Sequence, residues 1–120
     1  TLAESNQLHN LKADVLVQIG ELERKTGKFQ IALERFQQSL QIAIERKDKF
    51  RQESNLGRIG RVYESVGEYS IALEYCQRAL NLCIEIGLKR NQIFHLSNFS
   101  QTFFKTLTAR SISTFFTFET

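Results

Sequence analysis

Proline, tryptophan and methionine are all absent from these 120 residues, and glycine occurs only six times. Without proline no helix is interrupted from within, because proline removes a backbone donor and clashes with the preceding turn. Long apolar runs are missing too, and none approaches the roughly 20 residues that span a bilayer. No basic, apolar, small-residue segment opens the chain, so no secretory signal is visible in it. Ligand-bearing residues are scarce. His9 and His95 each stand without a second ligand at metal-binding spacing, and no Cys-x-x-Cys or His-x-x-x-His occurs. Gly57-Arg58-Ile59-Gly60 lacks the Lys-Ser/Thr ending of a phosphate loop. Carboxylates such as Glu21 and Glu23 fall on an expected exposed helix face, without the burial that tunes a general acid or base. No nucleophile–base pair is found. The chain is therefore expected to be no enzyme and to hold no cofactor and no metal.

What is present suits an ordered globular chain, with 42% hydrophobic and 24% charged residues. The net charge of +3 is a mild excess. Arg46, Lys47, Lys49 and Arg51 cluster, but Glu45, Asp48 and Glu53 interleave with them, as on a solvated helical turn. No nucleic-acid partner is expected from such a mixture. Cys76 and Cys83 stand seven apart, about 10.5 Å along a helix axis. That is beyond the roughly 7 Å a disulfide bridges. Two buried, reduced thiols in a reducing cytoplasm are expected.

The organising feature is a repeat. Residues 13–52 and 53–92 align without a gap and agree at fourteen of forty positions. The matches include Leu16/Leu56, Ile19/Ile59, Gly20/Gly60, Gly27/Gly67, Ile31/Ile71, Ala32/Ala72, Leu33/Leu73, Glu34/Glu74, Leu40/Leu80 and Ile44/Ile84. A period of this size marks stacked helical units. Each copy reads as two amphipathic helices. Leu16, Ile19 and Leu22 carry the first stripe, Gly27 breaks it, and Phe29, Leu33, Phe36, Leu40 and Ile44 carry the second. The other copy repeats this about Gly67, and Gly87 marks a further stop. Asp48 is the expected cap of the helix that follows it. The spacing predicts helices over about 7–26, 29–46, 50–66, 69–86 and 91–106. Gly20 and Gly60 recur inside helices, where glycine costs about 1 kcal/mol relative to alanine. They are expected at close helix-to-helix approaches. Gly57 aligns with Val17, and the sequence gives no reason for it.

The two copies resemble tetratricopeptide repeats. The resemblance rests on Leu16-x-x-Ile19-Gly20, Gly27, Ala32 and Phe36, and on Leu56-x-x-Ile59-Gly60-x-x-Tyr63, Gly67, Ala72 and Cys76. Glu23 and Cys76 stand where that pattern has aromatics, and Ile44 and Ile84 stand at its usual proline. The forty-residue period resembles the long-repeat branch found in bacterial signalling proteins and peptide-binding adaptors. The fold implied is an all-α solenoid with two intact repeats, 13–52 and 53–92, and a partial third over 93–107. Residues 1–12 read as the end of a preceding repeat or a lead-in.

The tail, 108–120, departs in composition. Seven of the ten phenylalanines lie within 94–118, and no acidic residue stands between Glu85 and Glu119. A capping segment, a partner- or membrane-contacting tail, disorder and a frame-shifted end of the gene all fit that composition.

The resemblance implies a function. The first helix of each repeat in that family lines a concave groove. The groove positions here are Asp14, Val17, Glu21, Arg24, Lys25, Ser54, Gly57, Arg61, Glu64 and Ser65, then Phe94, Ser97, Gln101, Phe104 and Lys105 in the weak third unit. Val17 and Glu21 stand where carboxylate-gripping members carry lysines and asparagines, which points away from that activity. The expected function is a non-catalytic scaffold that takes a peptide or helical segment of another protein, within a longer signalling or adaptor protein. A structural spacer that self-associates through its array ends is the alternative.

Overall fold

The computed structural model describes the backbone of residues 1–119 and the side chains of residues 1–110. Five helices follow one another: α1 (Leu2–Lys25), α2 (Phe29–Glu45), α3 (Lys49–Ser65), α4 (Tyr69–Ile86) and α5 (Lys89–Glu119). Each helix packs on the next in the chain, which gives a stack 67 × 32 × 19 Å. This is the expected all-α repeat solenoid. Among the described residues no helix is long and apolar enough to cross a membrane.

Local chemistry sets the helix ends. Thr1 caps α1 through a capping box with Glu4, its hydroxyl accepting from the Glu4 N–H at 3.2 Å. Asp48 caps α3 as expected, accepting from the Arg51 N–H at 3.1 Å. The turns after α1 and α3 are alike. Gly27 and Gly67 take φ of 81° and 83°. The following N–H groups reach back five residues, Lys28 to Glu23 at 2.8 Å and Glu68 to Tyr63 at 2.9 Å. This is the left-handed helix stop for which glycine is the favoured residue. The turn after α2 makes the same bonds, Asp48 N–H to Ala43 at 2.8 Å, with Lys47 in the left-handed position at φ 58°. Gly87 fills the matching place after α4, at φ 77°.

Two helix bounds differ from expectation. α1 starts at Leu2, so residues 2–12 are its first turns, with no turn between them and residue 13. α5 continues past 106 to Glu119, because neither glycine nor proline occurs after Gly87 to stop it. Phe94, Phe103 and Phe104 are exposed. The side chains of Phe115, Phe116 and Phe118, on which the capping reading of the tail depends, lie outside the described residues.

The core runs along the stack. Ala32, Leu33, Phe36 and Leu40 of α2 meet Leu56, Ile59 and Val62 of α3 and Ala79 of α4. Burial of each larger side chain stabilises by about 1.5–3 kcal/mol. The expected first stripe needs a correction. Ile19 and Leu22 are 40% and 64% exposed, whereas their repeat counterparts Ile59 and Val62 are 0% and 2%. In α3 that face packs on α2, while no helix of the described residues precedes α1. Ile44 and Ile84, in the last turns of α2 and α4, are also exposed.

Gly20 sits where expected. A Cβ there would lie 2.8 Å from the Phe36 ring. A Cβ on Gly60 would meet Tyr75 at 3.4 Å and the Ala72 carbonyl at 3.5 Å, an ordinary contact. The approach is tight in the first repeat and relaxed in the second.

Candidate functional site

The first helices of the two repeats, α1 and α3, turn their inner faces to a shared surface that α5 extends. Two adjoining cavities open along it. One, of about 330 Å³, is lined by Asp14, Val17, Gln18, Ser39, Arg51, Ser54, Asn55 and Arg58. The other, of about 370 Å³, is lined by Glu21, Glu53, Ser54, Gly57, Arg58, Arg61, Asn91, Phe94 and His95. Ser54 and Arg58 belong to both.

The structure brings seven of the fifteen expected groove residues onto these walls: Asp14, Val17, Glu21, Ser54, Gly57, Arg61 and Phe94. Arg24, Lys25, Glu64, Ser65, Ser97, Gln101, Phe104 and Lys105 line neither cavity. Arg24 folds back on Glu21, with Nη2 donating at 2.9 Å. Lys25 is exposed at the end of α1. Glu64 accepts from Thr102 at 3.2 Å and from Lys105, joining α3 to α5. Ser65 donates to the Arg61 carbonyl at 2.9 Å, and Gln101 is exposed. Val17, Glu21, Arg24 and Glu64 are half-buried where exposure was expected, because ion pairs and the neighbouring helix cover them.

Charge on this face is arranged in pairs. Arg51 donates to Asp14 across α3 and α1, and this hydrogen bond is the chief cause that raises the Arg51 pKa further. Glu21 also faces the Arg58 guanidinium at 3.6 Å. Arg61 makes no ion pair among the described residues and is exposed. Among the described residues the face therefore offers one free guanidinium, several hydroxyl and amide groups and the exposed Phe94 ring. Arg51, Arg58 and Asn91 were missed by sequence reasoning. Arg58 stands four residues from Ser54 and three from Arg61, so helical spacing alone was a sufficient signal for it.

Beneath the second cavity lies a buried polar cluster. Glu53 of α3, Cys83 of α4 and His95 of α5 are all buried. Their nearest ligand-type atoms lie within 4.8 Å of one another. His95 Nε2 and Glu53 Oε1 are 2.6 Å apart. Asn91 Nδ2 donates to both Glu53 oxygens, at 3.3 and 3.2 Å. Burial, and then the charge of Glu53, pushes the Cys83 thiol up to about 12. His95 Nδ1 is buried with no hydrogen-bond partner. Gly57 now has a reason: a Cβ there would come within 3.0 Å of His95 Cε1, so the glycine makes room for the imidazole. His95 was read as standing without a ligand neighbour; its neighbours come from two other helices, out of reach of any local spacing rule. The cysteines match expectation as free and buried.

A comparison with curated proteins finds no match. The family model described as tetratricopeptide repeat matches residues 11–85, which contain the later part of α1 from residue 11, all of α2 and α3, α4 but for its last residue, and both glycine turns within the repeats. With the repeat, the turns and the sequential packing already in place, the chain belongs to the tetratricopeptide repeat family.

Proposed function

We propose that this chain binds a peptide or helical segment of another protein along the inner face of α1, α3 and α5. Interaction between proteins is the general role of the tetratricopeptide family. The observation that carries the finer reading is the continuous pair of cavities on that face, with Ser54 and Arg58 common to both. Together they form one polar trough along α1, α3 and α5, with hydrogen-bonding groups at Ser54 and Asn91 for a ligand backbone. Arg61, which makes no ion pair among the described residues, favours a ligand with an acidic side chain near the second cavity. The module itself is non-catalytic and acts in the cytoplasm, as the recruiting arm of a longer signalling or adaptor protein.

A second reading, a spacer that associates through its ends, is favoured by one observation. Ile19 and Leu22 stay open to solvent at positions that are closed by α2 in the next repeat.

Peptides selected from a random display library against the immobilised chain test the groove. The selected peptides should shift amide resonances of α1, α3 and α5. Arg61→Glu combined with Ser54→Arg should weaken them at least about tenfold, with stability changed by no more than about 0.5 kcal/mol, as is usual for exposed helix positions. Shifts confined to Leu8, Leu11, Val15, Ile19 and Leu22 would favour the spacer reading instead.

A further inference from the structure

We propose that Glu53, Cys83 and His95 form a binding site for a divalent transition-metal ion of the zinc type, with its fourth coordination position open to the groove. The repeat itself supplies the first reason. Forty residues earlier the same three places hold Ala13, Ala43 and Asn55. That earlier junction is uncharged: Ser39 Oγ donates to the Ala13 carbonyl at 3.3 Å and Asn55 Nδ2 donates to Ser39 Oγ at 3.0 Å. The fold thus closes this junction with small or neutral residues. At the second junction a carboxylate, a thiol and an imidazole stand there instead, each from a different helix.

The donor set supplies the second reason. Thiolate, imidazole and carboxylate together suit zinc-like ions, not the hard cations that prefer oxygen alone. Metal–ligand bonds of about 2.0–2.3 Å place tetrahedral ligands about 3.3–3.8 Å apart. The three ligand atoms already lie within 4.8 Å, so side-chain rotation of about 1 Å completes the triangle.

The surroundings supply the third. Asn91 holds the carboxylate from outside with two hydrogen bonds, as outer partners of metal ligands do. Gly57 clears space for the imidazole. Glu53 and His95 border the second cavity, which gives the ion a path in and a place for a water or a partner's side chain. The orphaned His95 Nδ1 marks the cluster as polar in excess of its own hydrogen bonds. On binding, the Cys83 thiol proton leaves to solvent and the Glu53–His95 hydrogen bond gives way to two metal bonds. The ion then ties α3, α4 and α5 together.

The test is titration of the full chain with Co²⁺ and Zn²⁺ under reducing conditions without chelators. One cobalt ion per chain should bind, with a cobalt–thiolate absorption in the near ultraviolet that zinc abolishes. Zinc should also raise the melting temperature. Cys83→Ala restores the residue of the first repeat, so it should fold, and it should lose both the absorption and the zinc shift. Cys76→Ala and His9→Ala should keep both. Absence of a thiolate absorption in the native chain overturns the proposal. So does an absorption or zinc shift that survives Cys83→Ala, or one that Cys76→Ala removes.

Discussion

The two repeats solve the same packing problem with different residues. In the first, Gly20 admits the fully buried Phe36 ring, and Glu23 pairs with Arg35 at 3.5 Å. In the second, Cys76 replaces Phe36. Tyr63 and Tyr75, at the places of Glu23 and Arg35, stack with ring centroids 5.6 Å apart. Volume lost at one position is made up by aromatics at two others. The shared positions, Leu33, Leu56, Ile59 and the glycine turns, hold the helix pairs in place, and their neighbours are free to vary as long as the gap is filled. The junctions between successive helices contrast more sharply, a neutral relay at one and an ionisable cluster at the other.

Predictions that probe this contrast fall in order of size. Phe36→Ala should destabilise by about 3–5 kcal/mol, since it empties the centre of the first repeat. Cys76→Ala at the matching place should cost only about 1 kcal/mol, the loss of one small group. Urea unfolding of both variants measures the difference, and equal losses would mean that the two repeats do not fill their cores differently.

Next come the helix glycines. Gly20→Ala should destabilise by about 1–3 kcal/mol, because the buried Phe36 ring has nowhere to move. Gly60→Ala should stabilise by about 0.5–1 kcal/mol, because its Cβ finds an ordinary contact and the helix gains propensity. Opposite signs in thermal melts support the asymmetry, while a shared sign removes it.

The smallest effect lies in the turns. Lys47 adopts the left-handed conformation that Gly87 adopts one repeat later. Lys47→Gly should stabilise by about 0.5 kcal/mol, the strain relieved less the extra freedom of the unfolded chain. A loss of stability in chemical denaturation would show that Lys47 is not strained there.

Legibility in the sequence followed the range of each interaction. The period, the glycine turns and the Asp48 cap depend on neighbours within one or two turns, and all stood in the sequence as observed. Exposure at Ile19 and Leu22 did not, because the repeat pattern names a packing position and not the helix that must cover it. Lys47 was hidden because a non-glycine residue in a left-handed turn carries no compositional mark. Seven of the fifteen expected groove residues line the cavities, since helical spacing selects a face but not the side chains that fold back on it, such as Arg24. The Glu53–Cys83–His95 cluster joins residues on three helices and matches no local spacing. Its one sequence signal was the exchange of the small, uncharged Ala13 and Ala43 for a carboxylate and a thiol at the same places of the second copy.

The central claim is that this cluster is an addition to the repeat fold and not a requirement of it. A single variant tests it: Glu53→Ala, Gly57→Val, Ala79→Ser, Cys83→Ala and His95→Asn together, which gives the second junction the residues of the first. Replacing a buried ionisable pair by well-packed uncharged residues of similar volume is commonly neutral or stabilising by about 1–4 kcal/mol. Urea unfolding should therefore show full helix content and a midpoint equal to or above that of the native chain. A loss of more than about 2 kcal/mol, on the same scale, would contradict the account and make the cluster part of what holds the stack together.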